Sequence, residues 1–353
     1  MNVIYKEGRS EWIDILKGFL LLCIVFSHFG YVPAPIAFVI KPTGDVWVPA
    51  FFFLSGLLFN ENRYTRFEDF LNSRFKSLLL PYLFFFFTFL LLDWNLYLKT
   101  ESTLITALVS LFNAGGPPKE SPLWFLISLF EISVIYYFIA QYFKNVIRRL
   151  ALVFASTLVG YFMYLYGVHP PFGIDVLLSG LTFYGVGHLL NGYISRLIDN
   201  LNGYIKWILV ATLLAIVSGF AASYNPDTVL GQNRINNFYL FYLTSICGTL
   251  SAITFSVILW NSLKRYCLAI KVFNFFRYIA IQGLPVLATH VYIIIVVDNF
   301  LKVFGFPHNS LAGFIFKTLA IALLIYFFIV PFVYNKLNFV FGKNKWSNLN
   351  FNK

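Results

Sequence analysis

Long apolar runs follow one another along almost the whole chain, and short polar segments separate them. Each run is long enough to cross a bilayer core of about 30 Å as a helix, which takes about 20 residues. Lys41 to Asp45 interrupt the second run, so that helix is expected to be broken or to begin near Val46. The pattern predicts about ten spans, near residues 12–30, 36–59, 77–93, 122–142, 150–167, 173–192, 205–223, 236–260, 278–297 and 311–334.

The composition supports a membrane protein. Apolar residues make up 59% of the chain and charged residues only 12%, whereas a soluble domain carries about 25% charged residues. The first apolar run follows a short polar start without a small-residue cleavage site, so it is expected to remain as the first membrane helix. The three cysteines show no spacing that indicates a disulfide framework or a zinc site, and no metal is expected. We expect an all-α, polytopic helical bundle that forms one domain over residues 1–353.

The formal net charge is +11, and the basic residues are distributed unequally between the two predicted sides of the membrane. With the N-terminus inside, 19 of the 26 Lys and Arg residues fall in inner segments, five fall in outer segments, and Lys17 and Lys317 lie within spans. Basic residues are retained on the cytoplasmic side during insertion, so both termini are predicted to be cytoplasmic. The excess charge is thus a topology signal that also favours anions at the inner face, and nucleic-acid binding is not expected.

Ionisable residues within spans are costly, at about 2.5–3.5 kcal/mol each on insertion scales, and usually face a cavity. Lys17 and His28 are three helical turns apart, a rise of about 16 Å, and share one face of the first span. The alternative is that Lys17 extends to the headgroups and that His28 only bonds a neighbouring helix. The residues concerned are Asp14, Lys17, His28, Glu131, His188, His290 and Lys317.

Three of these groups suit proton transfer and lie at comparable depths on separate helices. His28, Glu131 and His290 are all predicted roughly 16–24 Å above the inner edge, counting about 1.5 Å per residue. They could converge, although a purely structural hydrogen bond is the alternative for Glu131 and His290. His188 is expected to be a hydrated interfacial histidine, and Lys317, near the outer end of its span, is expected to extend to the headgroups.

Two short motifs add candidates of lower specificity. FFFLSG (Phe51 to Gly56) supplies Ser55, although close helix packing at Gly56 would explain this motif alone. PLWFL (Pro122 to Leu126) places Trp124 at the outer interface, where aromatic residues are common. The sequence has no phosphate-binding glycine loop, metalloprotease histidine pair or serine elbow.

Taken in order, the motifs resemble the membrane acyltransferase-3 family, and within it the sugar O-acetylases of the fucose 4-O-acetylase type. The resemblance covers essentially the whole chain. It differs from the usual family pattern at Lys17, where arginine is common, and at His188, where an aromatic residue is common. It is carried by IDILKGFLLLCIVFSH with Lys17 and His28, FFFLSG, SRFKSLLLPY, LWFL, PPFGIDVLLSGLTFYGVGHLL, and QGLPVLATH ending at His290.

The resemblance implies transfer of an acetyl group from acetyl-CoA to a hydroxyl of an envelope glycan or lipid-linked sugar, in a bacterial cytoplasmic membrane. His28 is the expected general base or acyl relay, and Glu131 or His290 would orient it or shuttle the proton. The implied donor-binding residues are Lys17, Arg74 and Lys76 as phosphate partners, together with Asp14, Ser55 and Trp124. A glycan or lipid transporter or flippase is the alternative function, because intramembrane ionisable residues suit transport as well.

Overall fold

The computed structural model describes residues 11–40, 44–92, 105, 109, 122–199, 204–307, 309–329, 332 and 340. Within these ranges the chain is helical and contains no strand, which confirms the predicted all-α bundle. One π turn, Phe75–Leu79, joins the helices Phe67–Arg74 and Leu80–Leu92, and a second, Ile325–Ile329, follows the helix Leu311–Leu324. The helices are α1 (Glu11–Ser27), α2 (Ala34–Ile40), α3 (Gly44–Leu57), α4 (Phe67–Arg74), α5 (Leu80–Leu92), α6 (Trp124–Tyr142), α7 (Val146–Leu165), α8 (Ile174–Leu189), α9 (Asn191–Asp199), α10 (Tyr204–Ser223), α11 (Phe238–Leu263), α12 (Cys267–Ile281), α13 (Gly283–Val303) and α14 (Leu311–Leu324).

Several helices of the described part are long and apolar enough to cross a membrane. Two further apolar helices, Val46–Leu57 and Leu311–Phe327, are shorter. The predicted total of about ten spans and the side on which the termini lie remain predictions, and residues 1–10 and 341–353 lie outside the described part. The seven long segments are Phe67–Leu92, Trp124–Tyr142, Val146–Leu165, Pro171–Leu189, Tyr204–Ser223, Phe238–Leu263 and Gly283–Val303.

Two predicted spans differ from the observed helices. The region of the second span holds two helices, α2 and α3, and residues 41–43 between them are outside the described part. The predicted ninth span, 278–297, was wrong in its start, because α12 ends at Ile281 and α13 begins at Gly283. Pro285 in the first turn of α13 explains this break, since proline is tolerated in the first turn of a helix but not in its interior.

The helix α1 lies inside the bundle, in contact with α3, α11, α12 and α13. Its start is tied to the last part of α11, where Ser256 Oγ donates to Trp12 O at 2.9 Å. At the same end, Arg277 of α12 pairs with Glu11 at 3.4 Å. We call this the basic end. The opposite end, where residues 224–237 connect α10 to α11, is called the loop end.

Close contact between α3 and α8 depends on two glycines. A Cβ atom added to Gly56 would lie 1.9 Å from Tyr184 O, and one added to Gly187 would lie 2.1 Å from Phe53 O. Small residues let helix backbones approach closely in a membrane, where dispersion contacts drive helix association. This contact places α3, which carries Trp47 and Ser55, between α8 and α1.

Candidate active site

A cavity of about 530 Å³ lies between α1, α3, α6, the junction of α12 with α13, and the connection at the loop end. Its volume is in the range of small-molecule binding sites, which is about 300–1,000 Å³. Most of the wall is apolar. The lining residues are Lys17, Leu21, Ile24, Ser27, His28, Trp47, Val48, Pro49, Phe51, Ser55, Leu78, Pro122, Trp124, Phe125, Leu126, Leu129, Thr228, Val229, Leu230, Gly231, Ala280, Ile281, Gly283, Leu284, Pro285 and Leu287.

Lys17 and His28 both line this cavity, as their shared helix face predicted. Lys17 lies toward the basic end and His28 lies at the other end of α1, about 16 Å of helical rise away. Both side chains are half-buried. The cavity therefore holds a cation toward one end and an imidazole well along its length.

The imidazole of His28 is held by two contacts to its Nδ1 atom. Nδ1 lies 2.8 Å from Ile24 O and 3.4 Å from Nε2 of His290. A carbonyl oxygen only accepts hydrogen bonds, so Nδ1 of His28 carries the hydrogen. In the neutral ring Nε2 then keeps its lone pair, which is the state that a general base requires.

His290 is fully buried and has a fixed orientation. Its Nδ1 lies 3.0 Å from both Val286 O and Leu287 O on the preceding turn of α13. Because both partners are carbonyl oxygens, Nδ1 of His290 donates, and its Nε2 is the acceptor that faces His28. The two rings are 5.0 Å apart between centroids and meet edge to face.

At the loop end, the cavity wall is formed by Trp124 of α6 and by residues 228–231. A Cβ atom added to Gly231 would lie 2.5 Å from Cε2 of the Trp124 indole. Glycine at this position therefore lets the loop backbone lie directly against the aromatic ring. The pair forms the part of the wall farthest from the basic end.

Asparagine side chains hold the connection between α10 and α11 in place. Asn225 donates through Nδ2 to Ile235 O at 3.1 Å and accepts from the backbone N–H of Asn237 at 2.9 Å. Asn233 donates to Gly160 O at 2.9 Å, and Ser179 Oγ donates to Asn233 Oδ1 at 2.7 Å. The loop is thus anchored on α7 and α8, and its contribution to the wall is a fixed surface.

Some of the residues predicted for donor binding line the cavity, and others do not. Ser55 and Trp124 line the cavity with Lys17, and Ser55 Oγ donates to Phe51 O at 2.8 Å, leaving its lone pairs free to accept. Asp14 is buried in the first turn of α1 and is not part of the lining. Its predicted pairing with Lys17 stays a prediction.

Arg74 and Lys76 also lie outside the cavity wall. The guanidinium carbon of Arg74 is 5.3 Å from the centre of the Phe70 ring, and Lys76 is exposed. The π turn at Phe75–Leu79 changes the helical phase between the two regular helices, and Leu78 is the residue of this turn that reaches the wall.

Glu131 is not part of the cavity wall, where His28 lies. It follows Leu129, which lines the cavity, by two positions, and residues two apart on a helix point to different sides. One oxygen of its carboxyl group, Oε2, is buried and has no hydrogen-bond partner within the described part of the chain. The predicted convergence of three proton-transfer groups is therefore observed for His28 and His290 only.

Three features differ from, or are missing in, the prediction from the sequence. The junction of α12 and α13, from Ala280 to Pro285, supplies part of the wall next to Lys17. The expectation that Lys317 extends to the headgroups was wrong, since its side chain is fully buried and lies 3.1 Å from Asp298 Oδ1. His188, expected at a hydrated interface, is half-buried and lies 2.9 Å from the hydroxyl of the buried Tyr136.

Comparison with known proteins identifies one family. The model of the acyltransferase-3 family, described as an acyltransferase domain, matches residues 10–336, which is most of the chain. No curated protein and no solved structure gives a significant match. The matched region includes all the residues that line the cavity. The chain belongs to this family and is a membrane acyltransferase.

Proposed function

We propose that the protein transfers an acetyl group from acetyl-CoA to a hydroxyl group of an envelope glycan or lipid-linked sugar, in the manner of the fucose 4-O-acetylase type. The observation that carries this proposal is one cavity lined by Lys17 toward one end and by His28 farther along, with His290 in contact with His28 from outside the lining. The family assignment favours an acyltransferase over the glycan or lipid transporter that intramembrane charges alone would allow.

The basic end is the proposed entry for the donor. Acetyl-CoA carries several phosphate charges, and an ammonium group forms strong, charge-assisted hydrogen bonds with phosphate. Lys17 is the cation of the described cavity wall. The apolar wall between Lys17 and His28 suits the uncharged arm that carries the thioester, and the proposal therefore places this end at the cytoplasm.

His28 is the proposed general base. Its Nε2 takes the proton of the acceptor hydroxyl while the hydroxyl oxygen forms a bond to the thioester carbonyl carbon. The carbon–sulfur bond then breaks, and the protonated His28 returns its proton to the CoA thiolate. The products are the acetylated sugar and CoA, so atoms and charge balance. An acetyl-histidine relay through the same Nε2 is the covalent variant of this step.

The acceptor is proposed to enter from the loop end. Trp124 and Gly231 form this part of the wall, and an aromatic ring supplies a flat apolar surface for a sugar. The backbone of residues 228–231 supplies polar groups there. Donor and acceptor would thus approach His28 from opposite directions.

The test is acetyl transfer by the purified protein in detergent, where vectorial transport cannot occur. Radiolabelled acetyl-CoA is the donor, and a panel of nitrophenyl monosaccharides, including the fucoside, serves as acceptor. Label is expected in the sugar fraction, with release of an equal amount of CoA thiol. A protein that binds these sugars without moving label to any of them, while His28→Ala binds them equally, would contradict the proposal.

A further inference from the structure

An ion pair made by a fully buried lysine lies next to the segment that follows His28. The side chain of Lys317 on α14 is fully buried, and its Nζ lies 3.1 Å from Asp298 Oδ1 on α13. A lysine inside a membrane helix is costly unless it has a partner, and such residues usually have a function. Neither Lys317 nor Asp298 is part of the cavity wall, so the pair is not a binding group of the site already described.

The same lysine contacts the segment that carries His28. Nζ of Lys317 lies 5.3 Å from the centre of the Phe29 ring, within the distance of a cation–π interaction. Phe29 directly follows His28 and packs against Phe314, one helical turn before Lys317, with the ring centres 5.5 Å apart. The end of α1 is thus held against α14 immediately beside the proposed base.

Asp298 completes a closed set of contacts. It lies on α13, the helix that also carries His290, about 12 Å of helical rise away. The path runs from His28 to Phe29, across to Lys317, to Asp298, along α13 to His290, and back to His28 through the 3.4 Å contact. The distance between the two imidazoles therefore depends on where Lys317 holds the two helices.

We propose that Lys317 is a positioning residue for acyl transfer, which fixes the hydrogen bond between His28 and His290 by binding Phe29 and Asp298 at the same time. The inference rests on the proposed function only for its catalytic readout. Charge is essential to this role because both contacts of Lys317, with a carboxylate and with an aromatic face, are electrostatic. An uncharged side chain of similar length would fill the space without holding either partner.

The test compares Lys317→Met with Lys317→Arg, and uses Lys302→Met as the matched control. Lys302 lies on α13, one turn after Asp298, and is exposed. Lys317→Met is expected to lower kcat by about 10- to 100-fold, since a shift of about 1 Å at a reacting group has effects of this size. The KM for acetyl-CoA is expected to be unchanged. Lys317→Arg is expected to recover most of kcat, and Lys302→Met to behave as the native protein.

A second readout is independent of acyl transfer. Diethyl pyrocarbonate modifies unprotonated imidazoles, and peptide mass spectrometry reports the rate at each histidine. In the native protein, the fully buried His290 is expected to react slowly, and in Lys317→Met it is expected to react severalfold faster, because its contact with His28 is lost. The double variant Lys317→Met/Asp298→Asn removes the unpaired carboxylate and is expected to show the same exposure of His290.

The outcomes separate this inference from the proposed function. Native kcat and native labelling in Lys317→Met would overturn the positioning role, and so would a loss of folded protein in which the surviving molecules have normal kcat. If the native protein transfers no acetyl group, faster labelling of His290 in Lys317→Met would support the positioning role and contradict the proposed reaction. A kcat that is close to native in Lys317→Arg and low in Lys317→Met supports both the positioning role and the proposed reaction.

Discussion

His28 and His290 are 262 positions apart in the chain, and their Nδ1 and Nε2 atoms lie 3.4 Å apart in the folded protein. The direction of this contact follows from the backbone, because each Nδ1 also faces carbonyl oxygens of its own helix. His28 donates, His290 accepts, and Nε2 of His28 is left with the free lone pair. This arrangement makes the two histidines unequal and assigns the base role to His28.

Replacing His28 tests that assignment most directly. His28→Ala is expected to lower acetyl transfer by about 10²- to 10⁴-fold, the usual contribution of a general base. Protein abundance in the membrane and binding of CoA, measured by calorimetry, are expected to be unchanged.

His169 supplies the matched control for this variant. It lies outside the cavity and pairs with Asp175 at 2.8 Å. His169→Ala is expected to keep native transfer. Transfer that survives in His28→Ala would remove His28 from the mechanism.

His290→Leu should leave the base in place but without its second partner. The rate constant kcat is expected to fall by about 10- to 100-fold, because the orientation of His28 would be less well defined. The KM for acetyl-CoA should stay the same, since His290 is not part of the cavity lining. Steady-state kinetics with both substrates measures kcat and KM separately. A change in KM alone would be inconsistent with an orienting role.

Replacing lysines tests whether the donor binds to the cavity wall or to the protein surface. Lys17→Met is expected to raise the KM for acetyl-CoA by about tenfold or more, the size of one charge-assisted hydrogen bond. Lys17→Arg should keep most of the affinity, because the charge is retained. Lys76 is exposed and outside the wall, so Lys76→Met is expected to have no effect. A larger rise in the KM for acetyl-CoA in Lys76→Met than in Lys17→Met would place the donor elsewhere.

Gly231→Ala tests the acceptor side. The added Cβ would press on the Trp124 indole, and overpacking of this kind costs about 1–3 kcal/mol. The KM for the sugar is expected to rise by about tenfold, while acetyl-CoA hydrolysis without a sugar stays at its native rate. Gly219→Ala is the control, since nothing lies within 4 Å of the added atom. Equal effects on both substrates would argue against a separate acceptor end.

Gly56→Ala tests the contact between α3 and α8. The new Cβ would lie 1.9 Å from Tyr184 O, so the two backbones must separate. Thermal unfolding in detergent should shift to lower temperature, corresponding to about 1–3 kcal/mol. Gly219→Ala again serves as the control, and an unchanged midpoint for both variants would show that this contact contributes no stability.

The sequence by itself determined the class of protein and the chemistry of its first helix. Apolar runs of membrane length are a local property, and so is the spacing that places Lys17 and His28 on one face of α1. The motif order was sufficient to identify the family. Each of these features depends on residues that are near one another in the chain, or on the presence of a motif, and not on how the helices meet.

Only the tertiary structure decided which polar groups come together. A sequence gives the depth of Glu131, His290 and Lys317 in their spans, but the side to which each points depends on how its helix is rotated against its neighbours. That rotation is set by non-local packing, such as the contact of Gly56 with Tyr184. The same packing brings His290 to His28, keeps Glu131 out of the cavity wall, and buries Lys317 against Asp298.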